Sequence, residues 1–172
     1  MVRAAPSPET PSPASVTDVT RHLLLVFHTQ TGNTGALAAA AEAGARHPDI
    51  DGVTLRCRRA SETDADDLRW AHGLLLGTPE NFGYMSGAMK DFFDRTYYEV
   101  ENELPPLPYA LFISAGNDGT GAVRAVQRIV GGYPFVEVQK PLIARGEITA
   151  EHQQAARELG MTLAAGLSAG IY

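Results

Sequence analysis

From Arg21 onward, unbroken apolar runs alternate with longer segments whose apolar residues recur at helical spacing. Leu23 to Phe27 is one such run, ended by His28 and a turn-rich stretch, which is the pattern of a strand buried on both faces. Thr34 opens an alanine-rich helix through Ala45, with Gly44, His47 and Pro48 as its stop. Val53 to Arg58 reads as a second strand, and Ser61 is placed to cap a short acidic helix from Glu62 to Leu68. Gly73 to Leu76 is a third strand, followed by a loop from Thr78 to Tyr84 that Pro79 and Gly83 punctuate. Ser86 can cap the next helix, where Met85, Met89, Phe92, Phe93 and Tyr97 share a face and belong to the core. Pro105 and Pro108 end that connection, Tyr109 to Ser114 is a fourth strand, and a helix over Thr120 to Val130 stops at Gly131 and Gly132. Phe135 to Val138, able to continue to Ile143, is the fifth strand. Thr149 then caps a last helix with Ala156, Leu159, Leu163 and Leu167 on one face.

Five strands separated by helices call for right-handed crossovers, and hence for a doubly wound α/β fold with a five-stranded parallel sheet. Ligands in such folds bind beyond the carboxyl ends of the strands, where the strand order reverses. The loops after the first, third and fourth strands are therefore the candidate site.

Length and charge narrow the partners. The 172 residues suit one core, assigned to residues 21–172. Residues 1–20 carry Pro6, Pro8, Pro11 and Pro13 among Ala, Ser and Thr and read as a disordered leader. That leader has no apolar run that could span a bilayer. Net charge is −6, with no basic surface to suggest nucleic acid. The single cysteine, Cys57, alternates with Val53 and Leu55 on one strand face, so it reads as packing in a cytosolic protein. Trp70 falls at the opposite end of the sheet and reads as packing, and Glu99, Glu101 and Glu103 as a solvated edge.

The first loop, Thr29-Gln30-Thr31-Gly32-Asn33-Thr34, crowds hydroxyls and a glycine onto a helix N-terminus. Free N–H groups and the helix dipole favour an anion there, and glycine permits close backbone approach. A set of helix caps is the plainer alternative. Neither the lysine of an ATP-type phosphate loop nor the G-x-G-x-x-G of a dinucleotide fold is present. The second loop, Thr78-Pro79-Glu80-Asn81-Phe82-Gly83, offers amide donors at Asn81 and an apolar face at Phe82. The third, Ser114-Ala115-Gly116-Asn117, is permissive, and Asn117 or Asp118 can equally contact a ligand or cap the following helix.

The first loop meets in full the T/S-x-T-G-x-T pattern of the flavodoxin family's phosphate loop. The stretch from Gly77 to Gly87 resembles the ring-binding loop of flavodoxin-like NAD(P)H:quinone oxidoreductases and NADPH-dependent FMN reductases. The resemblance covers nearly all of Arg21 to Tyr172. It implies strand order 2-1-3-4-5 and flavin mononucleotide (FMN) on the three loops just given. It further implies hydride transfer from NAD(P)H, as co-substrate, to a quinone or similar small acceptor. A single-electron carrier serving a redox protein partner is the alternative, and a scaffold that has lost its flavin is opposed by the intact Thr29 to Thr34 loop. Electron-carrier flavodoxins usually sandwich the ring between aromatic residues, and Ser114 to Gly121 has none. No catalytic side chain is named, because flavin hydride transfer does not demand one, and no metal site is expected. The long insertion that helps quinone reductases of this type form tetramers is missing after the fourth strand, so no oligomeric state is carried over.

Overall fold

The computed structural model describes residues 19–172. All but the last two residues of the leader reading, 1–20, lie outside the described residues. The described chain runs β1 (Arg21–Phe27), α1 (Asn33–Ala45), β2 (Val53–Arg59), α2 (Ala65–Trp70), β3 (Gly73–Asn81), β4 (Tyr84–Met85) and α3 (Gly87–Val100). It continues with β5 (Leu107–Ala115), α4 (Thr120–Val130), β6 (Phe135–Glu137), β7 (Leu142–Arg145) and α5 (Ala150–Ser168). The sheet order is β2-β1-β3-β5-β6, all parallel, with β7 beside the second half of β5 and β4 antiparallel to β3. This is the expected 2-1-3-4-5 order once β4 is set aside and β6 and β7 are taken as one interrupted edge strand.

The central strands β1, β3 and β5 carry unbroken apolar runs because each serves two cores. Leu24, Val26, Leu74, Leu76, Leu111 and Ile113 pack under α2, α3 and α4, together with Met85, Met89, Phe92 and Phe93. Their chain neighbours Leu23, Leu25, Leu75, Ala110 and Phe112 face the other way, against α1 and α5. On that second face α1 and α5 lie backbone to backbone. A β-carbon on Gly44 would overlap the Arg157 carbonyl, and one on Gly160 would overlap that of Ala41. The close approach seats the second half of α1 directly on α5.

Four local expectations change. Thr78 to Asn81 is not loop but the end of β3, turned back through Phe82 and Gly83 into β4. Both turn residues have positive φ, 51° and 70°, the signature of a two-residue hairpin. Pro79 is tolerated because β1 has ended by that point, leaving that side of β3 an edge. The cap of α2 is Asp64, not Ser61. The Asp64 carboxylate accepts the Asp67 N–H at 3.0 Å while the Asp67 carboxylate accepts the Asp64 N–H at 3.2 Å, and Ser61 sits in a single 3₁₀ turn, Ala60–Glu62. The fourth strand starts early, at Leu107, and includes Pro108, which precedes the β3–β5 ladder. The edge strand breaks after β6. Leu107 faces Phe135 and Phe112 faces Leu142, so five steps along β5 match seven along the edge, and Pro141 lies in the surplus.

Candidate active site

At the carboxyl end of β1 the chain makes a tight turn into α1. Thr29 Oγ1 accepts the Gly32 N–H at 3.1 Å, and Gly32 takes φ 103°, which a side chain rarely adopts. A β-carbon on Gly35 would stand 3.2 Å from the Thr29 methyl, so the loop is wound closely onto the first helical turn. No side chain caps α1, and its first turn holds no acidic residue. The N-terminal N–H groups and the positive end of the dipole are thus presented to solvent beside exposed Thr31 and Asn33.

The helix that starts on the other side of the same region is built differently. α4 also has a left-handed glycine at its N-cap, Gly119, with φ 75°. Yet Asp118 Oδ1 accepts both the Thr120 N–H at 2.9 Å and its hydroxyl at 2.8 Å, and Glu80 Oε2 accepts the Ala122 N–H at 3.4 Å. Those hydrogen bonds hold the Asp118 carboxyl below its usual range. Two carboxylates of the chain thus occupy the N-terminus of α4, taking the Thr120 and Ala122 N–H groups. Of the two helix N-termini, only that of α1 remains open to an external anion.

Between these walls lies a cleft of about 420 Å³ lined by Thr31, Asn33, Pro79, Glu80, Asn81, Ser114, Ala115, Gly116, Gly146 and Glu147. Such a volume lies within the ~300–1,000 Å³ typical of small-molecule sites. All three loops singled out from sequence meet there. Of their residues, Thr29 shapes the turn, Gln30 is exposed, and Gly32 is the α1 N-cap. Thr34 is buried, its Oγ1 2.7 Å from Ser114 Oγ, so it ties α1 to the end of β5. Thr78 is also buried. Its hydroxyl accepts the Ser86 N–H at 3.0 Å and lies 3.2 Å from Ser86 Oγ, which joins β3 to the start of α3. Phe82 stands fully exposed at the hairpin tip, Gly83 rests on Gly121 of α4, and Asn117 is exposed outside the cleft lining. The cap reading holds for Asp118.

Gly146 and Glu147 were not among the sequence candidates. They follow β7, which runs parallel to β5 and ends beside Ala115 at this edge of the sheet. Extending the fifth strand to its true end at Arg145 would have pointed to them. His28, the last residue before the phosphate-type loop, has a buried Nδ1 with no hydrogen-bond partner. Burial first, and Arg59 second, hold its pKa below the ordinary value, so the ring is neutral at pH 7. Cys57 is inert by comparison: burial, then Glu42, push its thiol up to about 11. At the far end of the sheet Trp70 stacks on His22 at 4.3 Å under the Arg56 guanidinium, a packing cluster away from the cleft. Among the described residues no group of acidic, histidine or cysteine side chains is arranged to hold a metal, and no helix is long and apolar enough to cross a membrane.

The model of the NADPH-dependent FMN reductase family matches residues 24–150, a span that contains all three loops of the cleft. The chain belongs to that family. It is an FMN-binding, flavodoxin-like family. The chain is 34% identical over 99 residues to a flavodoxin of Aquifex aeolicus, covering 58% of this chain and 52% of that one. It is 31% identical over 94 residues to an NAD(P)H dehydrogenase (quinone) of Acidithiobacillus ferrooxidans, covering 43% and 46%. The match thus spans about half the length of these curated relatives. Among solved structures, a flavodoxin from the domain Archaea superposes with a TM-score of 0.74 at 20% identity, covering 86% of this chain and 99% of that one, a likeness of fold.

Proposed function

We propose that this protein binds FMN in the cleft and catalyses hydride transfer from NAD(P)H to a quinone or similar small acceptor. The observation that carries the proposal is the cleft's lining, which combines an uncapped helix N-terminus with a ring-sized opening that contains no aromatic side chain. The residues fit the cofactor. A phosphate at the start of α1 is favoured by roughly 0.3–1 kcal/mol from the dipole, and up to about 2 when partly buried, besides its hydrogen bonds. The carboxylates of Glu80 and Glu147 line the same cleft and oppose a dianion near them. They orient the phosphate toward Thr31 and Asn33 and leave Pro79 to Asn81 and Ser114 to Gly116 for the uncharged ring.

Bound FMN supplies a two-electron redox centre. The protein's part is to hold and expose it. Asn81 offers amide donors for the polar edge of the ring, and Ala115 and Gly116 form a low wall, with Gly116 facing open space. Without an aromatic lid, a nicotinamide and then an acceptor can reach reacting distance on the open side, so that positioning replaces a catalytic acid or base. The balanced reaction is NAD(P)H plus a proton plus quinone, giving NAD(P)⁺ and quinol. Similarity to a flavodoxin favours the alternative, a single-electron carrier. The aromatic-free lining favours the enzyme.

Anaerobic absorbance spectra separate the two. In the proposed function the protein purifies with flavin bands or gains them with added FMN, NADPH bleaches them, and a quinone restores them. Bands indifferent to both NADPH and NADH would refute the hydride-transfer reading and leave the carrier. Failure to bind added FMN would refute both.

A further inference from the structure

A second groove, of about 270 Å³, lies between α4 and the edge strand. Its floor is apolar, formed by Val123, Pro141 and Ile143, and its rim carries Arg124 and Lys140. No carboxylate lines it. Among the described residues neither Arg124 nor Lys140 belongs to an ion pair; Arg21, Arg59, Arg128, Arg145 and Arg157 are also outside ion pairs, but Arg124 and Lys140 share the rim of one apolar groove. The acids around it are otherwise engaged: Glu158, which shares a neighbouring pocket with Lys140, accepts from Gln154 at 2.9 Å. Asp118 is bonded to Thr120, and Glu137 accepts hydrogen bonds from Gln127 at 2.8 Å and the Tyr109 hydroxyl at 2.9 Å. Asp118 also lies within electrostatic range of Arg124 and Arg145, so it offsets part of their charge without cancelling it.

The groove adjoins the cleft. Buried Gly119 separates them: a β-carbon there would stand 3.2 Å from Cβ of Ala115, on the cleft wall, and 2.5 Å from Cγ2 of Ile143, on the groove floor. One elongated molecule can therefore place one end in the cleft and the other in the groove. An apolar floor suits a flat heterocycle, and two unpaired cations above it suit a phosphate attached to that end.

We propose that this groove receives the adenosine end of the electron donor and that Arg124 and Lys140 recognise its 2′-phosphate, so that NADPH is preferred to NADH. The donor's identity rests on the hydride-transfer reading above, but recognition of the phosphate is testable without turnover.

The test is calorimetric titration of the full chain, with FMN added, at low salt, using adenosine 2′,5′-bisphosphate and adenosine 5′-monophosphate as probes. One charge-assisted phosphate contact corresponds to about a tenfold difference in affinity, so the bisphosphate binds about tenfold more tightly or better. The doubly substituted Arg124→Gln, Lys140→Gln chain loses that preference, with flavin bands and far-UV circular dichroism unchanged. The difference also shrinks as salt is raised. Equal binding of the two probes, no binding of either, or a preference that survives the double substitution would overturn the proposal. Bleaching by NADPH without a bisphosphate preference overturns the groove and leaves the hydride-transfer reading intact. A bisphosphate preference that the double substitution removes, in a protein whose flavin ignores NADPH, supports the groove as a 2′-phosphate site and refutes the turnover reading instead.

Discussion

The substitution Gly121→Ala tests whether the second wall of the cleft stands where α4 puts it. Gly121 is in the first turn of α4, and a β-carbon there would overlap the carbonyl oxygen of Gly83 and stand 3.0 Å from its Cα. Carbon atoms pack best at about 3.5–4.0 Å, so the hairpin turn must withdraw by on the order of 1 Å. Overpacking of this kind costs about 1–3 kcal/mol, against a gain of at most about 1 kcal/mol from replacing glycine by alanine in a helix. The net expectation is a loss of about 1–2 kcal/mol. Gly87→Ala is the control. It lies in the first turn of α3 with nothing within 4 Å of the added carbon and no positive φ, so it should be neutral or stabilising by up to about 1 kcal/mol. Urea denaturation followed by far-UV circular dichroism measures both. The hairpin carries Glu80 and Asn81, so Gly121→Ala should also weaken FMN binding, read from flavin fluorescence, whereas Gly87→Ala should not. Equal stability of the two variants would refute the hairpin's seating on α4.

Three further outcomes follow from buried groups. Thr34→Val leaves the Ser114 hydroxyl without its partner and should cost about 1–3 kcal/mol, and Thr34→Val with Ser114→Ala should recover part of that loss in a double-mutant cycle read by urea denaturation. His28 and His72 both titrate below their ordinary 6.5 in the folded state, chiefly through burial, so the unfolded chain binds their protons first. Their contribution is complete above pH 6.5 and falls as the pH drops below it; unfolding free energy measured from pH 7.5 to 5 should decline less steeply in His28→Gln and His72→Gln than in the parent. Cys57, with its thiol pushed up to about 11, should react with a thiol reagent at pH 8 far more slowly in the folded protein than in urea.

What the sequence made legible is whatever is decided within a few residues. Apolar runs marked β1, β3, β5 and β6 and an alternating segment marked β2, while the break that sets off β7 was not read; Ser86 and Thr149 cap their helices as read, each accepting an N–H three residues on. Thr31, Asn33, Pro79, Glu80, Asn81, Ser114, Ala115 and Gly116 reach one cleft because a strand's carboxyl end and its loop are contiguous, so topology alone brings the loops together. Misplaced elements had competing local signals. Ser61 and Asp64 both precede acidic residues, and only the reciprocal bond with Asp67 selects Asp64. Pro79 and Gly83 read as loop because a proline argues against a central strand, but the position lies past the end of β1. Hydroxyls were the least legible part of the site. Thr29, Thr31, Thr34 and Thr78 are alike in sequence, yet one shapes a turn, one faces the cleft and two are bonded inside the fold.

The same distinction separates the two helices that begin at the cleft. Both follow a glycine with positive φ, and both have threonine within their first two positions. What makes one a candidate phosphate site is the carboxylates missing from it and present at the other: Asp118 two residues before Thr120, and Glu80 brought across from β3. Asp118 can be read along the chain, and Glu80 cannot, because its approach depends on the hairpin folding back onto α4 through Gly83 and Gly121. Glu80→Gln therefore separates the two roles the carboxylate has, as cap of α4 and as a negative wall of the cleft. The amide can still accept the Ala122 N–H through its oxygen, so stability should change by only a few tenths of a kcal/mol. Removal of the charge lowers repulsion toward the FMN phosphate, so FMN should bind at least as tightly as to the parent, with the difference vanishing at high salt. Weaker FMN binding in Glu80→Gln would mean that the carboxylate itself holds the ring, and that the division of the cleft into a phosphate end and a ring end is drawn in the wrong place.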